Sequence, residues 1–298
     1  MQKTIVVTGA TSGIGNLLVK EFVKQGCLVF AGYRNVALKK ELQAISENVI
    51  PFRIDLSKKW TITDAVKFIN EKTDKIDTLI NAAGYAVAGA MECLPVDRIR
   101  EQFEVNTFSH LQFTQGLFSK LEAQGGGRII NISSMASFGV FPFVAPYCAS
   151  KRALDILFNC LQVECGGKCG SQSGQNASDS CNRGSIKVIS IKPGVVKTPL
   201  WEKSIEGNKD SVGESTKYEK ELEFLFKNAQ KNAKKCLEAQ EVAEFIVKIE
   251  ALENPKSSYT IGLDAKFAEI LSHLPQSWIN WIIKESIKQR CEKTVKIH

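Results

Sequence analysis

The feature that most constrains this chain is a regular alternation of short β-branched runs and amphipathic segments. Thr4–Thr8, TIVVT, is β-branched without polar alternation, which predicts a buried parallel strand. The segment that follows places Leu17, Leu18 and Phe22 at helical spacing. Later segments include the strand-like runs RIINISS and IKVISIKPG and a long predicted helix over Ala149–Glu164. This order predicts an α/β fold with a doubly wound parallel sheet and helices on both faces.

Composition narrows the class of protein. The 298 residues suit one large α/β domain or two small ones, and contents of 44% hydrophobic and 24% charged residues are ordinary for a globular chain. The net charge of +7 comes from scattered Lys and Arg residues, which we interpret as a solvated surface with no nucleic-acid partner. Nine cysteines, an odd number without a signal-peptide pattern, predict a reducing, cytoplasmic location.

A glycine-rich turn, TGATSGIG, follows the first predicted strand and opens the first predicted helix. Gly9 permits a tight turn, Gly13 lets the backbone approach a pyrophosphate, and Gly15 lets helix and strand pack closely. The helix N-terminus adds free N–H groups and a positive dipole end. This context predicts a dinucleotide site of the Rossmann type, although the spacing is G-x-x-x-G-x-G rather than G-x-G-x-x-G.

Candidate reactive residues lie further along, around the segment YCASK. Tyr147 and Lys151 are four residues apart at the start of the long helix, so they share one face. Ser134 ends the strand RIINISS. Ligands bind at the carboxyl ends of strands in such sheets, where Asn81–Gly84 and Pro193–Gly194 are also expected. The alternative is a tyrosine packed at a helix start beside a surface lysine.

These stretches together resemble the short-chain dehydrogenase/reductase family. The matching segments run in family order over residues 4–198: TGATSGIG, IDLS with Asp55, NAAG at 81–84, EVNTF with Asn106, NISS ending at Ser134, YCASK, and PGVVKT at 193–198. NAAG departs from the commoner Asn-Asn-Ala-Gly but keeps Asn81. The chain is similar to the NADP-dependent hydroxysteroid and retinol dehydrogenases and to the acyl-dihydroxyacetone-phosphate reductases. The resemblance implies an NAD(P)-dependent enzyme acting on CH–OH groups, with residues 1–298 in one Rossmann-type domain.

The resemblance implies four catalytic residues, Asn106, Ser134, Tyr147 and Lys151. Tyr147 would be the general acid in carbonyl reduction and the base in alcohol oxidation. Because a free phenol has a pKa of about 10, Lys151 would be needed to stabilise the phenolate. Ser134 would polarise the substrate oxygen. Asn106 would hold a water and a distorted helix turn that connect Lys151 to solvent.

The resemblance also implies a set of cofactor contacts. Asp55 and the Leu56 backbone would meet the adenine, while Val196 and Thr198 would hold the carboxamide. Lys151 would also bond to the nicotinamide ribose. The expected set comprises Gly9, Ser12, Gly13, Ile14, Gly15, Arg34, Asp55, Leu56, Asn81, Ala82, Gly84, Tyr147, Lys151, Pro193, Gly194, Val196 and Thr198.

The segment VFAGYRN, which ends the second predicted strand, bears on the choice of cofactor. Where an acidic residue would hold the adenosine ribose of NAD, the chain has Gly32, Tyr33 and Arg34. An arginine pairs with a 2′-phosphate that a carboxylate would repel. We therefore expect NADP(H) rather than NAD, with a solvated surface arginine as the alternative.

The expected substrate is a small-molecule carbonyl or alcohol. Phe138, Phe141 and Phe143 lie between Ser134 and Tyr147, where they could be simple core or could line an apolar pocket. We expect Ser134, Phe141 and Tyr147 to contact a bulky, lipophilic ketone or secondary alcohol, similar to a steroid, a retinoid or an acyl lipid. The alternative function is a cofactor-binding regulator with little turnover, against which the complete catalytic set argues.

Three segments fall outside the alternating pattern. Residues 165–184, rich in Gly, Ser and Asn, predict a flexible loop insertion, and the polar residues 199–220 a possible substrate lid. Residues 264–298 predict a C-terminal helical extension in two amphipathic parts. Its Trp278 and Trp281 could cover the active-site mouth, form a subunit interface or, as the less favoured alternative, contact a membrane surface. The resemblance implies a homodimer or homotetramer.

Two further groups of residues are interpreted as structural. Cys165, Cys169 and Cys181 match no zinc-ligand spacing, so we expect free thiols and no metal. His110 lies on a mostly apolar predicted helix, and we expect it to pack inside the fold rather than to bind a ligand.

Overall fold

The computed structural model describes residues 2–123, 125–166, 186–198, 218 and 236–295, with the side chains of the last range described up to residue 286. The predicted loop insertion at 165–184 and the predicted lid at 199–220 therefore lie outside the described residues, apart from residues 165, 166 and 218. The glycine-rich turn and the segments predicted to form the sheet are all described.

Parallel strands form the centre of the fold. The described strands are β1 (Thr4–Val7), β2 (Leu28–Tyr33), β3 (Val49–Arg53), β4 (Thr78–Asn81), β5 (Arg128–Ile132), β6 (Lys187–Pro193), β7 (Val196–Lys197), β8 (Leu237–Glu238) and β9 (Ser258–Ile261). Seven of them pair in the order β3-β2-β1-β4-β5-β6-β9, all parallel, and β7 pairs with β8. The predicted doubly wound sheet is confirmed, and its strand order reverses between β1 and β4, where such sheets bind ligands.

Helices fill most connections between the strands. They are α1 (Gly13–Lys24), α2 (Lys39–Gln43), α3 (Lys59–Lys72), α4 (Val96–Phe103), α5 (Ser109–Glu122), α6 (Ala145–Gly166), α7 (Ala239–Ala251), α8 (Leu263–Leu271) and α9 (Gln276–Val295). Short turns of 3-10 helix occur at Val36–Leu38 and Met135–Phe138. A π turn at Glu104–Phe108 joins α4 to α5.

Helix α6 begins earlier than the sequence predicted. The prediction placed it at Ala149–Glu164, whereas it spans Ala145–Gly166. Pro146 occupies its first turn, where the missing N–H removes no helical hydrogen bond and the fixed φ suits a helix. Tyr147 is consequently held inside the first turn of the helix that also carries Lys151.

Two apolar layers hold the sheet between its helices. On one face, α1 and α7 pack through buried side chains that include Phe22 and Ile246. On the other face, α3, α5 and α6 pack through side chains that include Ile69, Phe113 and Phe158. Fully burying one side chain of this size contributes about 1.5–3 kcal/mol. These layers therefore hold the strand ends, where the predicted site residues lie, in a fixed arrangement.

A buried carboxylate anchors the opposite, amino-terminal edge of the sheet. Glu250 of α7 accepts from Lys3 Nζ at 2.9 Å, from Thr78 Oγ1 at 3.1 Å and from Arg128 Nη1 at 3.4 Å. These partners stand at or just before the beginnings of β1, β4 and β5. The carboxylate therefore ties α7 to three strand starts, away from the glycine-rich turn.

The C-terminal region consists of β9, α8 and α9. Helix α8 packs against β9 and against the turn Met135–Phe138. Several large apolar side chains of α8 and α9 are nevertheless exposed: Leu263, Phe267, Ile270, Trp278 and Trp281. Among the described helices, none combines the length and the apolar character needed to cross a membrane.

Candidate active site

The turn after β1 packs directly on the segment after β4. Gly9 has a φ of +65°, and a Cβ atom there would lie 2.9 Å from Cα of Ala83. The hydroxyl of Thr8 accepts hydrogen bonds from the backbone N–H groups of Ala82 at 3.0 Å and of Ala83 at 3.2 Å. Because a side chain at position 9 would be both strained and blocked, this contact requires glycine.

The start of α1 is shaped to receive an anion. Gly13 has a φ of +53°, and a Cβ atom there would lie 3.3 Å from Cγ2 of Thr198, while one at Gly15 would collide with the carbonyl of Gly9. The side chain of Ser12, the N-cap residue, makes no capping hydrogen bond, and the first turn of α1 has no acidic residue. The helix amides and the bare glycine backbone therefore fit a pyrophosphate.

Three of the predicted catalytic side chains meet at the carboxyl end of β5. The Lys151 ammonium donates to the carbonyl oxygen of Ile132 at 2.7 Å, and its Nζ lies 6.0 Å from the centre of the Tyr147 ring. Ser134 follows the strand, and its Oγ accepts from the Ala136 N–H at 3.1 Å. Ser134, Tyr147 and Lys151 are all buried. The backbone of β5 and the first turns of α6 therefore position all three groups.

Burial sets the charge states of these groups. It raises the pKa of Tyr147 to about 12, and a hydrogen bond with Ser134 acts in the opposite direction. Burial also lowers the pKa of Lys151 to about 8, while the negative charge of Asp155 opposes that change. Near pH 7, Tyr147 is therefore protonated, as a proton donor must be, and Lys151 remains mainly charged.

Asn106 lies in the π turn between α4 and α5 and is fully buried. Its amide donates to the Tyr85 carbonyl at 2.9 Å and to Ser150 Oγ at 3.1 Å, and it accepts from the Tyr85 N–H at 3.1 Å. A Cβ atom on Gly84 would lie 3.2 Å from Asn106 Oδ1 and 3.5 Å from Lys151 Nζ. The π turn stands where the resemblance implied a distorted helix turn. The link from Asn106 through water to solvent stays a prediction.

Asn81, predicted to contact the cofactor, has its side chain inside the protein. Its Nδ2 lies 2.8 Å from Asn131 Oδ1, and its Oδ1 lies 3.2 Å from Nδ1 of His110. Nε2 of His110 lies 2.9 Å from the carbonyl oxygen of Ala83. His110 is thus held within the fold, the side chain of Asn81 bonds to buried neighbours, and the cofactor contact of Asn81 stays a prediction.

The protonation of His110 determines how these amides are oriented. Burial lowers the pKa of His110 to about 4, so the ring is neutral and one of its nitrogens must accept. Nε2 donates to the Ala83 carbonyl, which leaves Nδ1 to accept from an amide N–H of Asn81. When the side-chain amides of Asn81 and Asn131 are both turned to fit this bond, Asn131 Nδ2 donates to Asn81 Oδ1. In the opposite orientation, Asn131 Nδ2 has no hydrogen-bond partner among the described residues.

The ends of β2 and β3 carry the residues predicted for the adenosine half of the cofactor. Arg34, just past β2, is exposed and has no ion pair with another described residue. Asp55 accepts from the N–H of Ser57 at 3.1 Å and from its hydroxyl at 2.7 Å. The carbonyl of Leu56, which is buried, accepts from Ser109 Oγ at 2.6 Å. Asp55 is thus held in a local turn, whereas Arg34 extends into solvent.

A carboxylate that the sequence did not single out holds the segment after β6. A Cβ atom on Gly194 would collide with the carboxylate of Asp264, which accepts from the Val195 N–H at 2.7 Å. The Gly194 N–H donates to the carbonyl of Ile261 at 2.8 Å. Gly262 has a φ of +106°, so this glycine indicates a turn just before Asp264. It does not indicate which backbone group the Asp264 carboxylate binds. The start of the predicted C-terminal extension is therefore part of the site's support.

The remaining predicted cofactor residues have mainly structural surroundings. Ile14, Ala82 and Val196 are partly buried against the apolar core, and Pro193 is the last residue of β6. Because the side chains of Ile14, Ala82 and Val196 pack against the core, any contact of these residues with the predicted cofactor would use main-chain groups more than side chains.

An apolar surface adjoins Tyr147. The ring of Phe141 packs against a buried cluster with Val144, and that cluster comprises Ala86, Ala136, Tyr147 and Cys148. Phe138 instead stacks under Lys192, whose Nζ lies 4.6 Å from the ring centre. Of these two phenylalanines, Phe141 is the one placed beside the predicted proton donor.

Phe143 adopts an unusual backbone conformation in the same loop. Its φ is +65°, which costs a non-glycine residue about 1–3 kcal/mol. Its carbonyl accepts from the Gly89 N–H at 2.7 Å, and its ring meets that of Tyr218 edge-on, with centres 5.8 Å apart. The loop before α6 is thus held in a strained form that joins it to the segment after β4 and to Tyr218.

Comparison with known proteins agrees with this architecture. The family model described as short chain dehydrogenase matches residues 3–209. The chain belongs to the short-chain dehydrogenase family. It is therefore an NAD(P)-dependent oxidoreductase, as the sequence predicted. Short-chain dehydrogenases act on small-molecule substrates.

Relatives of similar length include two bacterial proteins. The chain is 32% identical to the probable short-chain type dehydrogenase/reductase VdlC of Helicobacter pylori, covering 94% of this chain and 96% of the relative. It is 26% identical to the NADPH-dependent 3-dehydrocapnine reductase of Ornithobacterium rhinotracheale, covering 97% and 99%. A crystal structure of a short-chain dehydrogenase from Streptomyces avermitilis has the same fold, with a TM-score of 0.70, 20% identity, and coverage of 99% and 97%.

The part of this short-chain dehydrogenase that the structure describes contains no group of three or more His, Cys, Asp or Glu side chains that could hold a metal ion. Cys169 and Cys181, which the sequence analysis considered together with Cys165, lie outside the described residues.

Because Gly9 packs on the backbone of Ala83, a substitution at Gly9 should lower stability by more than backbone strain alone would. Gly9→Ala adds a Cβ atom against the backbone of Ala83, whereas Gly26→Ala, also at positive φ, meets nothing within 4 Å. We expect Gly26→Ala to lower the free energy of unfolding by about 1 kcal/mol and Gly9→Ala by about 3 kcal/mol. Chemical denaturation measures both, and equal losses would contradict the proposed contact.

Proposed function

We propose that this short-chain dehydrogenase transfers a hydride between NADP(H) and a bulky, lipophilic ketone or secondary alcohol. The observation that carries the proposal is the buried group of Ser134, Tyr147 and Lys151 at the carboxyl end of β5. A protonated phenol beside a serine hydroxyl is suited to a carbonyl oxygen that gains negative charge during reduction.

Each side chain of this group has a distinct part in the proposed reaction. In carbonyl reduction, Ser134 donates a hydrogen bond to the substrate oxygen, and Tyr147 donates the proton. The nicotinamide supplies or accepts the hydride when it is bound. The Lys151 ammonium stabilises the phenolate that remains on Tyr147. In alcohol oxidation, the Tyr147 phenolate removes the hydroxyl proton by the same path.

The chain's own residues would hold the cofactor along the strand ends. The glycine turn and the amides of α1 would bind the pyrophosphate, because the missing Cβ atoms leave the backbone accessible. Asp55 would face the adenine, Lys151 the nicotinamide ribose, and Val196 and Thr198 the carboxamide. Thr198 lies next to Gly13, so the residues assigned to the carboxamide and to the pyrophosphate adjoin one another.

Arg34 supports NADP(H) as the cofactor. It is exposed just past β2 and has no competing ion pair among the described residues. A guanidinium in that position can form paired hydrogen bonds with a 2′-phosphate. The relative from Ornithobacterium rhinotracheale is an NADPH-dependent reductase by name, which is consistent with this choice.

The role of Arg34 predicts a change in cofactor preference. Arg34→Asp should raise the Kd for NADPH by at least about tenfold and change the Kd for NADH much less, because the carboxylate repels the 2′-phosphate. Titration calorimetry measures both constants. Arg100→Asp makes the same charge change at an exposed position on α4 and should leave the ratio of the two constants unaltered. An unaltered ratio in Arg34→Asp would contradict the assignment.

The surroundings of Tyr147 support an apolar substrate. Phe141, Val144 and Cys148 pack beside it, and the loop that carries Phe141 also holds Phe143 at positive φ against Tyr218. Apolar walls with a few convergent polar groups are typical of small-molecule sites. We propose that Ser134, Phe141 and Tyr147 contact the substrate.

A substrate panel tests the reaction and its substrate class together. Steroid, retinoid, fatty-acyl and small polar ketones are assayed by NADPH oxidation, and we expect turnover with the lipophilic members. Tyr147→Phe should lower kcat by at least about a hundredfold while NADPH binding is retained, since it removes the proton donor. Tyr259→Phe on β9 is the matched control and should leave kcat unchanged.

The outcomes of this panel separate the competing functions. Turnover confined to small polar ketones would overturn the lipophilic substrate. Tight NADPH binding without turnover of any carbonyl compound would instead favour a cofactor-binding regulator. Near-normal turnover in Tyr147→Phe would remove Tyr147 from the mechanism.

The exposed apolar residues of α8 and α9 support a homodimer or homotetramer. Trp278 and Trp281 are 62% and 67% exposed in the single chain, so most of each side chain lies in solvent unless another surface covers it. Covering such side chains with a second copy would remove apolar surface from water. Light scattering with size-exclusion chromatography should therefore give a mass above that of one chain, and a monomer would contradict the proposal.

A further inference from the structure

A buried ion pair lies one helical turn beyond Lys151. Asp155 follows Lys151 by four residues on α6, and its Oδ2 lies 3.4 Å from Nζ of Lys192 on β6. The two side chains are 2% and 9% exposed. Lys192 also stacks on the ring of Phe138, in the turn that follows Ser134. One carboxylate therefore pairs with a buried ammonium group and lies one turn along the same helix from a second, Lys151, which belongs to the predicted catalytic set.

Stability alone does not explain this arrangement. Removing two charged groups from water is unfavourable, and replacing a buried ion pair with apolar residues of similar size is often neutral or stabilising. The Lys151 ammonium donates its hydrogen bond to the uncharged carbonyl of Ile132. Without a nearby negative charge, a buried lysine tends to lose its proton.

We propose that Asp155 is a positioning residue that acts through Lys151: its carboxylate keeps the buried Lys151 ammonium charged, and Lys192 holds that carboxylate in place. The inference rests on the proposed function, because it concerns the lysine that would stabilise the Tyr147 phenolate. Burial lowers the pKa of Lys151, and among the described groups the charge of Asp155 opposes this change.

The other charged groups near α6 are engaged elsewhere or are solvated. The turn Met135–Phe138 has no charged residue, and His110, which faces Lys151, is neutral near pH 7. The charged side chains on the elements packed against α6 have local partners. Two ion pairs lie on α4, Arg98 with Glu101 and Arg100 with Asp97. Glu104 accepts a hydrogen bond from the hydroxyl of Ser109, and Lys187 donates one to the side chain of Asn254. On α6 itself, Arg152 and Glu164 are exposed. Asp155 is thus the buried negative charge beside Lys151.

The two members of the ion pair should affect Lys151 in opposite directions. Asp155→Asn removes the negative charge and leaves the positive charge of Lys192, so the Lys151 pKa falls and the phenolate is less stabilised. Lys192→Met leaves Asp155 to interact with Lys151 alone, so the Lys151 pKa stays or rises. A pair with only a structural role would give two variants that lose stability similarly and share one pH profile.

The experiment measures the acidic limb of the pH profile for alcohol oxidation by the full chain. In Asp155→Asn this limb should move to higher pH by about one unit, and in Lys192→Met it should stay or move to lower pH. The double variant, which removes both charges, should fold as the wild type does and keep the alkaline shift. Glu250→Gln, which breaks a buried ion pair at the opposite edge of the sheet, should leave the profile unmoved.

A second readout needs no turnover. The protein is labelled with isotopic lysine, and the Lys151 resonance is identified as the one that is lost in Lys151→Met. NMR then follows this resonance in the wild type and in the other variants as the pH rises. The pKa of Lys151 should fall by about one unit in Asp155→Asn and in the double variant. Wild-type protein without turnover would refute the proposed function but still permit this titration. An unchanged Lys151 pKa, or equal shifts in Asp155→Asn and Lys192→Met, would overturn the role of Asp155.

Discussion

The hydrogen bond from the Lys151 ammonium to the carbonyl of Ile132 is the interaction on which the rest of the site depends. It joins the first turns of α6 to the end of β5 at 2.7 Å. Ser134 follows Ile132 by two residues, and Tyr147 precedes Lys151 by one helical turn. The bond between Lys151 and Ile132 therefore sets the distance between the hydroxyl groups of Ser134 and Tyr147. A parallel sheet makes this possible because all its strands end at one edge.

Close backbone packing at the same edge explains why glycine recurs there. The turn after β1 packs on the segment after β4, that segment packs on the π turn, and the segment after β6 packs on the start of α8. Cβ atoms at Gly9, Gly84 and Gly194 would therefore meet Ala83, Asn106 and Asp264 respectively. Dense packing of this kind leaves little room for adjustment. The strand ends therefore form one connected support, in which a side chain added to any turn displaces another.

The features that could be predicted from the sequence are those set by local patterns. The alternation of strands and helices predicted the sheet, and the spacing of YCASK placed Tyr147 and Lys151 on one helical face. The contacts of Asp264 with the segment at Gly194, and of Asp155 with Lys192, could not be predicted, because their partners are distant in sequence and carry no spacing signal. The cofactor contact of Asn81 stays a prediction from its motif, and the bond of its buried side chain to Asn131 could not be predicted from that motif.

Burial acts on the two central groups in a way that favours one direction of proton transfer. It raises the pKa of Tyr147 and lowers that of Lys151, so both groups are drawn towards their neutral forms. A neutral phenol can donate a proton at once, which suits reduction. Oxidation requires the phenolate, which a neutral lysine stabilises poorly and an ammonium stabilises well. In the proposed reaction, the charge on Lys151, and hence any carboxylate that maintains it, would therefore govern how readily the protein starts from an alcohol.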